Sequence, residues 1–148
     1  IESQKSSPFE LGLGWAVKMN KNHFIGKNAL KKELDRGPEW KFVGIEIEWS
    51  DLEKHYRRVG LAPGLPSTAW RTSTPLYYNS EQIGYATSGT WSPILKRYIA
   101  LAHVKNEYSD LDTILDFEIK IEHFKKTTTA RIVNTPFFNP ERKRSCPA

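Results

Sequence analysis
The stretch LDTILDFEIKI, residues 111–121, limits the fold more than any other part of the chain. Leu115, Phe117, Ile119 and Ile121 share one face, and Asp116, Glu118 and Lys120 share the other. A period of two is that of an extended strand with one buried side. Such a strand leaves its backbone groups unpaired and needs neighbours. They are present. WKFVGIEIEW (40–49) sets Val43, Ile45, Ile47 and Trp49 against Trp40, Phe42 and Gly44. Further strands read at 75–79 (PLYYN), 82–87 (QIGYAT), 97–104 (RYIALAHV) and 127–134 (TTTARIVN). Asn79-Ser80-Glu81 links the first two of these as a hairpin. The prediction is a mainly β fold, an antiparallel six-stranded β-barrel of Greek-key or jelly-roll-like type.

Between the strands, TSGTWSP (87–93) reads as a turn. In that reading Gly89 relieves the backbone, Ser88 and Ser92 bond local amides, and Trp91 covers a barrel end or an interface with a preceding domain. Residues 50–75 are the least regular, with DLEKHYRR as a helical turn or loop. Asp51 and His55, four apart, read as a solvated pair. Ahead of the barrel, residues 1–25 read as an extended arm in which Trp15, Val17 and Met19 alternate as in a half-buried strand. KNALKKELDR (27–36) reads as one short helix with Ala29, Leu30 and Leu34 on its apolar stripe, stopped by Gly37 and Pro38. The organisation expected is 1–37 as the tail of a preceding domain and 38–148 as the barrel domain.

At 148 residues a core of this kind folds without metal or disulfide. No apolar run approaches the ~20 residues of a membrane span, and the N-terminus lacks the features of a signal peptide. The chain also begins without Met, which raises the expectation of a fragment or processed product. Cys146, the single cysteine, sits near the C-terminus and fits a reducing compartment. The four histidines share no ligand-like spacing, so no metal site is expected. Net charge is +5, but the basic residues come as scattered pairs and a short C-terminal cluster rather than one long block. No catalytic constellation stands out: there is no phosphate-binding glycine loop and no nucleophile elbow.

The order of the motifs says more. SPFELGLGWAVKMNKNHFIGKNAL (7–30) resembles the end of the folate-binding half of the glycine cleavage T-protein (aminomethyltransferase) family. FVGIEIEW, IGYATSGTWSPILKRYIALAHV and TARIVNTPFFNPERKR resemble successive parts of that family's C-terminal barrel. The resemblance implies one-carbon transfer onto tetrahydrofolate, with the catalytic carboxylates lying before residue 1. It therefore implies no catalytic residue in this chain and no activity of the chain alone. It places Trp15 and Arg142 as folate-binding candidates, Trp15 by stacking and Arg142 by a bidentate pair with a glutamyl carboxylate. The partners implied are the folate-binding half and a lipoyl carrier protein or another methyl donor. The location implied is the cytoplasm, or the mitochondrial matrix of a eukaryote. Dimethylglycine and sarcosine dehydrogenases and folate-dependent demethylases share these domains, and the donor stays open among them and the glycine-cleavage enzyme. The alternative is a free-standing basic barrel that binds a nucleic acid or a protein, with Trp70, Trp91, Tyr77, Tyr78 and Tyr98 as stacking residues.

Overall fold
The computed structural model describes residues 5–66, 68–140 and 143. Six strands close into an antiparallel barrel: β1 (Trp40–Ile47), β2 (Thr74–Tyr78), β3 (Glu81–Ser92), β4 (Arg97–Lys105), β5 (Ile114–Ile121) and β6 (Phe124–Val133). Their order around the ring is β1-β4-β3-β2-β5-β6. β2, β3 and β4 thus follow one another side by side while β1 returns next to β4, which is a Greek key. Helix α1 (Lys27–Arg36) precedes the barrel and α2 (Trp49–Arg57) joins β1 to β2.

β1 and β2 stand on opposite sides of the ring, so α2 and the chain after it must cross one mouth of the barrel. The turns β3–β4 and β5–β6 rise at that same mouth, because Ile47 at the end of β1 lies opposite both Tyr98 and Ala130. The arm enters at the other mouth, beside the start of β1. Inside, Ile45, Leu76, Ile83, Ala102, Val104, Leu115 and Ile132 are fully buried. Each large aliphatic contributes roughly 1.5–3 kcal/mol by leaving water. The alternation of β5 is met residue by residue: Leu115, Phe117, Ile119 and Ile121 are all in the core.

Two readings of this region are corrected. TSGTW is strand, not turn: β3 runs unbroken to Ser92, with a register shift between Ala86 and Ser88, and the turn is left to residues 93–96. Gly89 is small because Trp70 lies on it. A Cβ built there would fall 2.4 Å from Trp70 Cζ2 and 2.8 Å from Ala100 Cβ. Trp70 N–H donates to the Gly89 carbonyl at 3.0 Å and Gly89 N–H donates back at 3.2 Å. Trp49 leaves the β1 face to begin α2, where it meets Trp91 at 5.1 Å between ring centroids. Trp91 therefore covers the barrel end, packed with its partner against the core.

The second correction concerns Asp51 and His55. They are not a solvated pair. Asp51 Oδ2 accepts from Thr129 N–H and Thr129 Oγ1, each at 2.9 Å, and from Thr128 Oγ1 at 3.3 Å. α2 is thereby fastened to β6, while His55 Nδ1 is buried without a partner. Ser50-Asp51-Leu52-Glu53 has the S-x-x-E pattern of a helix start, a signal that marks α2 in the sequence. In the fold the capping group is Glu48, whose carboxylate accepts from Ser50 N–H at 3.2 Å and Ser50 Oγ at 3.0 Å.

Trp70 is held at the mouth by a second bond, its Nε1–H donating to Tyr98 Oη at 2.8 Å. Burial raises the Tyr98 pKa, and the Trp70 bond opposes that shift. Tyr98→Phe removes the acceptor from a half-buried indole. The expected cost is about 1 kcal/mol, read from urea denaturation, with a red shift of tryptophan emission as the ring loosens.

Candidate functional site
The arm carries Trp15, one of the two residues singled out for folate, and its geometry grows from four residues, Ser-Pro-Phe-Glu. Ser7 N–H donates to Glu10 Oε2 at 3.0 Å and Glu10 N–H donates to Ser7 Oγ at 3.2 Å. This reciprocal pair is a capping box, and it closes the turn at residues 8–12. The other Glu10 oxygen accepts from Trp40 N–H at 3.4 Å, fastening the turn to the start of β1. Ser7 Oγ also donates to Glu33, which ties α1 to the same point. Gly12, at φ 71°, then brings the chain over Phe42. Gly14 packs flat on Phe9, where a Cβ would meet the ring at 2.9 Å.

Gly14 opens a short 3-10 turn, Gly14–Ala16. The half-buried strand expected for Trp15, Val17 and Met19 is not formed. The positive φ of Gly12 and the Gly14–Phe9 contact curl the chain, and no neighbouring strand is there to pair with it. Trp15 is accordingly 83% exposed. Ile25, just before α1, is 99% exposed, and Leu11, Leu13 and Leu34 also face solvent. α1 forms over the residues expected, but none of its side chains is buried. Beside Trp15 lies a groove of about 390 Å³ lined by Ala16, Val17, Phe24 and Leu30, with Lys18 and Lys21.

This surface offers an indole face, apolar walls and ammonium groups. It suits holding a flat ring or a neighbouring domain. Among the described residues no three His, Cys, Asp or Glu side chains gather as metal ligands. Arg142, the other folate candidate, and Cys146 lie outside the described residues. Leu11, Leu13 and Ile25, which sequence reading assigned to no face, are exposed along the arm with Trp15.

Beneath the arm, Trp40, Phe42, Tyr85 and His103 form an aromatic cluster on the outer face of β1, β4 and β3, with Phe42 and His103 edge to face at 5.3 Å. Burial lowers the His103 pKa, partly opposed by Glu10. The five aromatics of the strand-binding alternative are engaged elsewhere. Trp70 bonds Tyr98, Trp91 packs on Trp49, Tyr78 meets Tyr108 at 5.0 Å, and Tyr77 Oη donates to Glu118 at 3.0 Å. They form no shared platform.

Known proteins agree with this architecture. The family model "Glycine cleavage T-protein C-terminal barrel domain" matches residues 57–139, more than half of the chain. The chain belongs to the glycine cleavage T-protein C-terminal barrel family. Among relatives of this family, an aminomethyltransferase of Prochlorococcus marinus (strain NATL2A) is 40% identical over 134 residues, covering 90% of this chain and 30% of its own. An aminomethyltransferase of Geobacillus sp. (strain WCH70) is 37% identical over 137 residues, covering 92% of this chain and 32% of its own. Coverage that wide necessarily takes in α1 as well as the barrel. The glycine cleavage system aminomethyltransferase T of Bartonella henselae shares the fold, with a TM-score of 0.65 at 21% identity over 89% of this chain and 32% of that one. The chain spans about a third of the length of the T-protein relatives it matches. No helix among the described residues is long and apolar enough to cross a membrane.

Proposed function
We propose that this chain serves as the C-terminal part of a tetrahydrofolate-dependent aminomethyltransferase, with residues 1–37 belonging to the folate-binding portion and 38–148 forming the barrel. The observation that carries this reading is the exposed row of Leu11, Leu13, Trp15 and Ile25. Apolar surface of that extent, held in place by the Ser7–Glu10 box, is what a missing neighbour would cover. Relatives named aminomethyltransferase are about three times longer than this chain, which supports a further portion as that neighbour.

Within this reading Trp15 fits one wall of a pterin site. Its indole is free, and the adjoining groove is apolar with lysines beside it. Tetrahydrofolate, when bound, supplies the nitrogen that accepts the one-carbon unit. Trp15 orients the ring and excludes water from one side, and Arg142 holds the glutamyl end. The catalytic carboxylates belong to the folate-binding portion, so the chain alone is inactive. The one-carbon donor is a lipoyl carrier protein or another methyl donor.

The test is calorimetric titration of this chain into the separately produced N-terminal two thirds of the Prochlorococcus relative, with tetrahydrofolate present. The expected result is saturable association, weakened about tenfold by Trp15→Ser, as for a central aromatic anchor. Thermal stability of the chain alone should change by less than about 0.5 kcal/mol, because the side chain is exposed. Absence of association, or equal affinity with Trp15→Ser, would count against the docking role.

A further inference from the structure
The mouth of the barrel crossed by α2 lies opposite the end where the arm enters. Three connections meet there: α2 with the chain to residue 73, the β3–β4 turn and the β5–β6 turn. The ring order puts the two turns on either side of α2. Each turn lifts a large apolar side chain into solvent, Ile94 at 74% and Phe124 at 71% exposure. Val59 and Leu61, leaving α2, are exposed as well.

The charges around these tips are unbalanced. The acidic groups here are mostly engaged: Asp51 by Thr128 and Thr129, Glu53 by Arg57 at 3.2 Å, Glu118 by Lys125 at 3.1 Å, and Glu48 by the start of α2, while Glu122 in the β5–β6 turn is exposed and makes no ion pair among the described residues. Lys54, Arg58, Arg71, Lys96, Lys120 and Lys126 make no ion pair among the described residues. Lys120 stands directly opposite Lys125 across β5 and β6. A like-charge cross-strand pair is destabilising by itself; Glu118 already offsets Lys125, which leaves Lys120 as the cation of the pair open to an anion. The exposed apolar groups Ile94 and Phe124 stand at the hairpin ends among these cations. A soft layer that receives apolar groups between anionic head groups matches this arrangement better than a nucleic acid, whose stacking platform is not formed.

We propose that the α2 end of this barrel docks on an anionic lipid surface, Ile94 and Phe124 entering the interface while the unpaired lysines and arginines face the head groups. Juxtamembrane cations act within a Debye length, so the attraction is strong at low salt and screened at high salt.

The test is sedimentation of the 148-residue chain with vesicles of phosphatidylcholine and phosphatidylserine in equal parts, against phosphatidylcholine alone. Binding is expected only with the anionic vesicles and should fall as salt is raised. Lys96→Glu with Lys126→Glu should weaken it about thirtyfold or more, and Ile94→Ser with Phe124→Ser about tenfold. All four side chains lie at strand ends or turns, and circular dichroism verifies that the variants stay folded. Lys31→Glu with Lys32→Glu on α1 makes the same change in net charge at a remote place and should leave binding unchanged. The proposal is overturned by no binding, by equal binding to neutral vesicles, by full binding of the tip variant, or by equal loss in the α1 variant. Binding of a single-stranded oligonucleotide without vesicle binding would overturn it in favour of a nucleic-acid surface.

Discussion

Gly84→Ala should abolish folding of the barrel, at a cost exceeding about 4 kcal/mol, although it adds one methyl group. Gly84 is buried in β3 and paired with Val104 of β4. A Cβ built on it would stand 2.2 Å from the His103 carbonyl oxygen and 2.9 Å from Val104 Cα. Both are backbone atoms of the neighbouring strand, so no rotamer change relieves the clash. The strands must separate, and with them the ladder that joins β3 to β4 and β4 to β1. Gly89→Ala provides the graded comparison, because its Cβ meets side chains, the Trp70 ring and Ala100 Cβ at 2.8 Å, rather than backbone. That ring can swing outward, leaving a damaged mouth on an intact barrel, at about 1–3 kcal/mol. Gly64→Ala is the control, since nothing lies within 4 Å of its Cβ position. Urea denaturation followed by circular dichroism should rank the three as 64, 89, 84 in rising cost. A folded, cooperatively unfolding Gly84→Ala variant would show that the two strands have more freedom to part than their packing implies.

The same glycines mark how far sequence reading reaches. β5 is legible because its period of two is complete and each apolar residue faces one shared core. α1 is legible because its stripe ends at Gly37 and Pro38, which act locally. The stretch around Gly89 misleads because the reason for its small residues is not local. Gly89 accommodates Trp70, nineteen positions earlier in the chain, and a small residue chosen for packing looks the same as one chosen for a turn. Trp15, Val17 and Met19 mislead in the opposite sense. Their alternation is present, but a strand needs a partner edge, and the arm is curled instead by the Ser7–Glu10 box and Gly14. Trp15 itself stands out as an aromatic among glycines, while the aliphatics around it show their meaning only once their exposure is known. Asp51 was the least legible of all. His55, four positions on, is not its hydrogen-bond partner, and the hydroxyls it binds come 77 and 78 positions later.

That long-range contact makes Asp51 the second residue on which stability should turn. Asp51→Ala removes the acceptor for Thr129 N–H and for two threonine hydroxyls, one of them on Thr128, which is fully buried. Bonds to an ionised carboxylate are the stronger kind, and the donors left behind face a desolvated site. The expected loss is about 3 kcal/mol, with α2 released from β6 and the mouth of the barrel opened. The pH dependence follows from the same bonds. Chiefly the Thr129 N–H, then the threonine hydroxyls and nearby His55, hold the Asp51 pKa below its ordinary value of 3.8 against the opposing effect of burial. The unfolded chain therefore takes up the proton first as pH falls. The contribution is whole above the unfolded value and is lost as pH drops through the folded one. His103 adds an earlier slope in the same direction. Burial keeps its pKa below 6.5, so stability begins to decline once the unfolded imidazole protonates. Denaturation curves taken from neutral to strongly acidic pH should show two limbs in the parent chain. In Asp51→Ala the lower limb should flatten while the His103 limb persists. An unchanged lower limb would mean that carboxylates other than Asp51 govern unfolding in acid, and that the tie between α2 and β6 contributes little to it.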